Sequence, residues 1–396
     1  MKILGILNLN QDPAASLMIN GKLISLAEEE RFVRVKHAMG YFPENSIKFC
    51  LENNNLNLSD INFITIGWDI YAYKSRIRKH FEDCDKLFNK DIKSKNWESN
   101  QLSKYNPENF IENLKKDLIH CGFKKKDIPP VNFYGHHYSH AISAYIPSKF
   151  KESLILTIDG HGEENCTVIW IAKNNKINKY KQFNIPHSLG WFYAAATRFC
   201  GFTPNSCEGK TMGLAPYGKP NIDIRKKLEK ILTTQNHGYK IDPHYLFYGE
   251  RIIANEFTES FVHLFGKPRY NEQSVFDSPF AEFSYESQLL LERIVCHLVK
   301  TTIKETGIRN ICLAGGVALN CKMNRVISTL KEVENLYVQP MSNDIGTTFG
   351  LSLALSIDKG FPIADNFMDN THLGPEFGKM EIESCLKKQI EIPIPQ

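Results

Sequence analysis

No Cys-x-x-Cys pair occurs among the ten cysteines, so a zinc knuckle or a redox dithiol lacks its signature, and scattered thiols fit a reducing compartment. No stretch approaches the roughly 18 uninterrupted apolar residues that a membrane span needs. Residues 1–10 are too short and too polar for a signal-peptide core. A cytoplasmic chain with no membrane partner is therefore expected. Charge of one sign is also lacking. Lys and Arg total 48 against 44 Asp and Glu, and a balance of +4 does not signal nucleic acid or an anionic surface by composition. Walker A, G-x-S-x-G and Rossmann signatures are missing too, which removes local support for P-loop, serine-hydrolase and dinucleotide-oxidoreductase chemistry.

What is present is a chain of 396 residues, 42% hydrophobic and 23% charged, enough for one large bilobal unit or two to three ordinary domains. Residues 3–9 read as a strand, Asp12-Pro13 turns the chain, and Asn20-Gly21 joins residues 17–19 to 23–27 as a hairpin, because both turn residues tolerate positive φ. The same grammar returns at mid-chain. A strand at 154–158 meets the turn Asp159-Gly160-His161-Gly162, and residues 167–172 pair across Asn174-Asn175 with 177–183. Further strands at 61–68, 311–314 and 336–339 alternate with helical segments, which predicts an α/β architecture of two similar lobes. The expected division is 1–150 for the first lobe, 151–360 for the second, and a linker-like stub at 361–396. Residues 86–126 read as a Lys-rich helical face and 221–287 as a surface insertion. Leu291, Ile294, Val295, Leu298 and Thr302 share one face of a long helix that Gly307 is placed to end.

Four motifs can carry chemistry. His136 and His140 lie one turn apart on a helix beginning near Gly135, the spacing at which two imidazoles ligate one metal; capping or packing is the plain alternative. Asp159 and Gly160 end a buried strand, where backbone amides can meet phosphate oxygens or an Asx turn can form. Gly315, Gly316 and Asn320 mark a strand-to-helix junction suited to an anion or simply to close packing. Asp344 either caps the following helix or turns its carboxylate to a metal. A glycine-rich block from Glu208 through Gly213 to Gly218 reads as a loop over the site, with Lys210 free to neutralise phosphate.

Together and in this order, these blocks and Ala27-Glu28-Glu29-Glu30-Arg31-Phe32 resemble the NodU/CmcH-type O-carbamoyltransferases over residues 3–374. The resemblance implies two ribonuclease-H-like lobes of the actin, sugar-kinase and chaperone-ATPase type, facing a cleft. It implies that ATP and carbamoyl phosphate form carbamoyladenylate in a separate C-terminal domain, and that this domain moves the carbamoyl group to a hydroxyl of a small-molecule acceptor. A divalent metal, usually iron in the family, would sit at His136, His140, Asp159 and Asp344, a donor set suited to Fe²⁺ or Mn²⁺ and open to zinc. The nucleotide would meet Asp159, Gly160, Glu208, Lys210, Gly213, Gly315, Gly316 and Asn320. Catalytic roles would fall to Asp12, Gln11 and Lys210.

Two departures qualify that expectation. Where the family usually has His-Asp after the first strand, this chain has Gln11-Asp12, and an amide takes no proton at neutral pH. Asp12, His137 or His161 are the replacements the sequence offers. The chain also stops where the adenylate-forming domain would begin, so a separate domain or protein is the expected source of adenylate. The alternatives are a nucleotide- and metal-binding scaffold without catalysis, and threonylcarbamoyl transfer to tRNA. Against the last stand the glycine-lysine block and the weak basic balance, so no nucleic-acid partner is expected. A homodimer is the assembly allowed for.

Overall fold

The same strand order occurs twice in the computed structural model, which describes residues 1–8, 11–87, 92–174, 176–246, 256–270 and 272–390. The first sheet holds β1 (Lys2–Leu7), β2 (Ala14–Ile19), β3 (Lys22–Glu28), β4 (Phe63–Ile66) and β5 (Val131–Phe133) in the order β3-β2-β1-β4-β5. The second holds β6 (Glu152–Ile158), β7 (Asn165–Lys173), β8 (Lys176–Asn184), β11 (Asn310–Ala314) and β12 (Asn335–Val338), while β9 (Leu232–Gln235) and β10 (Gly238–Ile241) form a separate hairpin. In each sheet the first three strands form an antiparallel meander and the last two run parallel to the first. This is the ribonuclease-H-like topology that the resemblance implies, in the two similar lobes that the duplicated grammar predicts.

Local chemistry explains the strands. β1 and β6 are central and covered on both faces, so they read as nearly unbroken apolar runs. β8 is an edge strand whose exposed lysines discourage pairing with another chain. Asn20 and Gly21 take φ of 49° and 79°, the tight primed turn expected of that dipeptide. Asn174 has φ 51°, and its neighbour Asn175 lies outside the described residues.

The lobes meet through two helices. The helix His136–Ser148 packs on the second sheet, and the helix Ile345–Lys359 packs on the first. Both are buried almost all round because each is sandwiched between a sheet and the other helix. They cross where Gly350 meets Ser139: a Cβ on Gly350 would fall 2.2 Å from the Ser139 carbonyl oxygen. The division at residue 150 is therefore crossed in both directions, since each lobe's inner helix comes from the other lobe's stretch of chain.

Three expectations need correction. Where described, residues 221–287 are not a surface insertion: Ile224, Leu228, Ile231, Tyr239, Phe261 and Phe283 are buried in the largest core, with the second sheet, while 247–255 and 271 lie outside the described residues. The block after Glu208 is a helix, Glu208–Leu214, followed by a 3₁₀ turn, Ala215–Tyr217. Its glycines disfavour a helix, but Thr211 is buried and its carbonyl accepts from the Ser284 hydroxyl at 2.6 Å, so tertiary contact prevails. The stub after Gly360 is not a free linker, because Leu23 and Leu26 of β3 donate to the carbonyls of Phe367 and Leu373. The Lys-rich stretch is helical where described, and the long helix Phe280–Thr306 ends at Gly307 with φ 74°. Among the described residues no helix is long and apolar enough to cross a membrane.

Candidate metal centre and cleft

The two inner helices and the end of β6 bring four side chains together. His136 and His140 point their Nε2 atoms at one spot, 3.2 Å apart. Asp159, one residue beyond β6, places Oδ2 3.6 Å from His136 Nε2 and 3.1 Å from His140 Nε2. Asp344 precedes the helix Ile345–Lys359 but makes no capping hydrogen bond; its Oδ1 lies 3.5 Å from both imidazoles. The four ligand atoms lie within 4.8 Å of one another. Atoms bound about 2.1 Å from a common ion stand roughly 3.0–3.4 Å apart, so the donor set and its spacing fit a small divalent cation.

Backbone contacts fix these positions. Glu163 is buried and its Oε1 accepts from the amides of Asp69 (2.8 Å) and His136 (3.0 Å), which ties the histidine helix to the end of β4. Asp159 accepts from its neighbour Gly160 at 2.6 Å and from Gly316 at 3.2 Å. Gly315 permits this with φ 89°, and a Cβ there would lie 2.3 Å from the Ile158 carbonyl oxygen.

The electrostatics of the cluster favour a positive guest. Burial opposes charge on all of its shifted members, yet it is outweighed. The carboxylates of Asp344 and Asp159 hold His136 well above its ordinary value. Hydrogen bonds from His136 and His140 hold Asp159 well below the carboxylate range, and the His136 charge lowers Asp344. Nδ1 of both imidazoles is buried without a protein partner, so their polar interactions concentrate on the Nε2 side.

Above the cluster opens a cleft of about 430 Å³ between the lobes. Gln11, Asp12, Asp159, Gly160, Glu208, Gly316, Asn320 and Asp344 line it, as the sequence expectation requires of a shared site. Lys210, Gly213 and Gly315 are not in its lining; Lys210 is exposed, with Nζ 6.0 Å from the Phe202 ring centroid. The ammonium in the cleft wall is that of Lys36. Asn320 is committed to structure: it pairs with Gln288 at 2.9 Å in both directions and caps the helix Cys321–Ser328 through Met323 N. Gln11 donates to the Asn205 carbonyl at 2.7 Å, a bridge from one lobe to the other.

Sequence reasoning missed His37. Its Nδ1 is 2.7 Å from Asp12 Oδ1, its Nε2 is 2.9 Å from Ser206 Oγ, and its amide donates to Glu30 at 2.6 Å. Asp12, Glu30 and His37 bring ligand-type atoms within 4.8 Å, but here both imidazole nitrogens already have partners. Burial pushes the Asp12 carboxyl above its ordinary value, against the pull of His37. Lys36-His37, following Glu28-Glu29-Glu30-Arg31-Phe32, was the available signal. The two imidazoles offered as replacements for the family's base lie outside the cleft lining. His137 is engaged at both nitrogens, by Thr157 Oγ1 and the Asn165 carbonyl, and burial takes it down to about 3. His161 packs between Trp68 and Trp191.

A family model of the carbamoyltransferase N-terminus matches residues 2–353, and the chain belongs to that family. It is 32% identical over 395 residues to the uncharacterized protein sll1178 of Synechocystis, covering 97% of this chain and 62% of that protein. To the nodulation protein NolNO of Sinorhizobium fredii it is 31% identical over 370 residues, 93% of this chain and 49% of the relative. The chain thus spans about half to three fifths of the length of these relatives. Among solved structures, T. kodakarensis HypF superposes with a TM-score of 0.42 at 11% identity, covering 93% of this chain and 49% of that one.

Proposed function

We propose that this chain performs metal-assisted transfer of a carbamoyl group from carbamoyladenylate to a hydroxyl of a small-molecule acceptor, with the adenylate made from ATP and carbamoyl phosphate by a further domain or protein. The observation that carries this reading is the convergence of His136, His140, Asp159 and Asp344 under a cleft between the lobes, in a chain of the carbamoyltransferase N-terminus family. These four would hold the divalent cation, Fe²⁺ by family resemblance. When bound, it would supply Lewis acidity for the carbamoyl carbonyl or charge for the departing phosphate.

The chain's own residues do the rest. Lys36 in the wall attracts the adenylate phosphate. Val317 and Leu319 give the cleft apolar surface against which an adenosine can pack. Asp159 is held in place by the Gly160 and Gly316 amides, so the carboxylate needs no reorganisation when substrate arrives.

The test is to give the metal-loaded chain carbamoyladenylate with hydroxylated acceptors and to measure AMP and carbamate ester. Coupled formation of both is expected. No metal-dependent AMP release from preformed adenylate, with any acceptor, would sink the reading.

A second reading, a nucleotide- and metal-binding scaffold without catalysis, draws on Gln11, whose amide is spent on bridging the lobes. It requires that Gln11→His create transfer activity absent from the natural chain.

A further inference from the structure

With Gln11 in place of an imidazole, the acceptor hydroxyl needs another group to take its proton. We propose that His37, oriented by Asp12, is that group; the inference rests on the carbamoyl-transfer reading above.

Four observations carry it. First, His37 lines the cleft beside Asp12 and Lys36. Among the described residues of that lining it is the imidazole, since His136 and His140 lie beneath it and His137 and His161 lie outside. Secondly, Asp12 Oδ1 at 2.7 Å from Nδ1 fixes the tautomer with the proton on Nδ1, which leaves the Nε2 lone pair to accept from a hydroxyl. Thirdly, a hydroxyl already fits the position an acceptor would occupy: Ser206 Oγ, from the opposite lobe, lies 2.9 Å from Nε2. Fourthly, the pair is held in a costly backbone geometry. Asp12 and His37 both take positive φ, 53° and 62°, and the Asp12 amide donates to the His37 carbonyl at 3.0 Å. Two non-glycine residues in the left-handed region, locked to each other in a cleft, are the kind of strain found at functional sites.

The step balances. As the acceptor oxygen bonds to the carbamoyl carbon, Nε2 takes the hydroxyl proton. The bond from that carbon to the adenylate phosphate oxygen breaks, and the electron pair leaves on AMP. The imidazolium is stabilised by the Asp12 carboxylate, and its proton then passes to solvent. Asp12, Glu30 and Glu208 face His37 with carboxylates, and Lys36 lines the same cleft. Asp12 is a positioning residue here, because it acts through the imidazole.

Two measurements on the full chain test this. One follows AMP release from synthetic carbamoyladenylate with glycerol as the probe alcohol, for wild type, His37→Gln and Asp12→Asn, with bound metal assayed in each. The glycerol-dependent kcat should fall on the order of 10²-fold in both variants, with KM for glycerol and metal content within a few-fold of wild type. The other records ¹⁵N spectra of the ring, identified by its loss in His37→Gln. The Nδ1–H tautomer is expected, and should shift in Asp12→Asn. Full glycerol-dependent turnover in His37→Gln, or an Nε2–H tautomer indifferent to Asp12, overturns the inference while leaving carbamoyl transfer standing. A wild-type chain that releases no AMP under any acceptor removes the transfer reading and this inference with it.

Discussion

Nε2 of His140 stands 3.1 Å from Oδ2 of Asp159, and both residues are positioned by the same sheet. The histidine helix covers the second sheet, and Asp159 is the first residue beyond β6 of that sheet. Asp344 joins them from the helix that covers the other sheet. The site is therefore as rigid as the contact between two buried helices.

That contact is sensitive at Gly350. A methyl group there meets the Ser139 carbonyl oxygen at 2.2 Å, and backbone cannot yield as a side chain can. Gly350→Ala should cost about 2 kcal/mol or more through overpacking, read as a lower urea midpoint, and should weaken metal binding because it separates Asp344 from the imidazoles.

Glu163 is a second support. Glu163→Ala leaves the Asp69 and His136 amides without their acceptor, which should cost about 2 kcal/mol and reduce metal affinity. Glu163→Gln keeps an acceptor oxygen and should be milder in both denaturation and metal titration.

Two lysines separate the sequence expectation from the structure. AMP binding measured by calorimetry should weaken by roughly 2–5-fold in Lys36→Ala, an exposed charge worth at most about a kcal/mol. Lys210→Ala should change it less than about 2-fold, because Lys210 is outside the cleft lining.

His137 gives stability a pH dependence. Folded, it stays neutral down to about 3, whereas its ordinary value is 6.5. Between those values the unfolded chain binds the extra proton, so this contribution is present above about pH 6.5 and is lost as pH falls. Urea denaturation from pH 7.5 to 4.5 should show falling stability, with up to about 1.4 kcal/mol per pH unit from this residue. His137→Gln should have the shallower slope.

Much of this was legible in the sequence, for stated reasons. Central strands announce themselves as unbroken apolar runs, Asn20-Gly21 as a turn that needs positive φ, and Gly307 as a helix stop. H-x-x-x-H, the Asp after β6 and the Asp before the last buried helix sit at element ends, where a side chain can face a cleft. Other features depend on contacts remote in sequence. Helix Glu208–Leu214 forms against the helix Phe280–Thr306 despite Gly209 and Gly213. Residues 221–287 bury aromatics without a clean period. His37 lies in irregular chain, and its meaning depends on Asp12 and Ser206, 25 and 169 residues away.

The most direct test is metal content. The chain should be stripped, reloaded anaerobically with Fe²⁺ or with Mn²⁺, and desalted before elemental analysis beside His136→Ala, His140→Ala and Asp344→Asn. About one ion per wild-type chain is predicted, with near-total loss in either histidine variant and weaker retention in Asp344→Asn. Equal metal in wild type and both histidine variants, with all three folded by circular dichroism, would contradict the account.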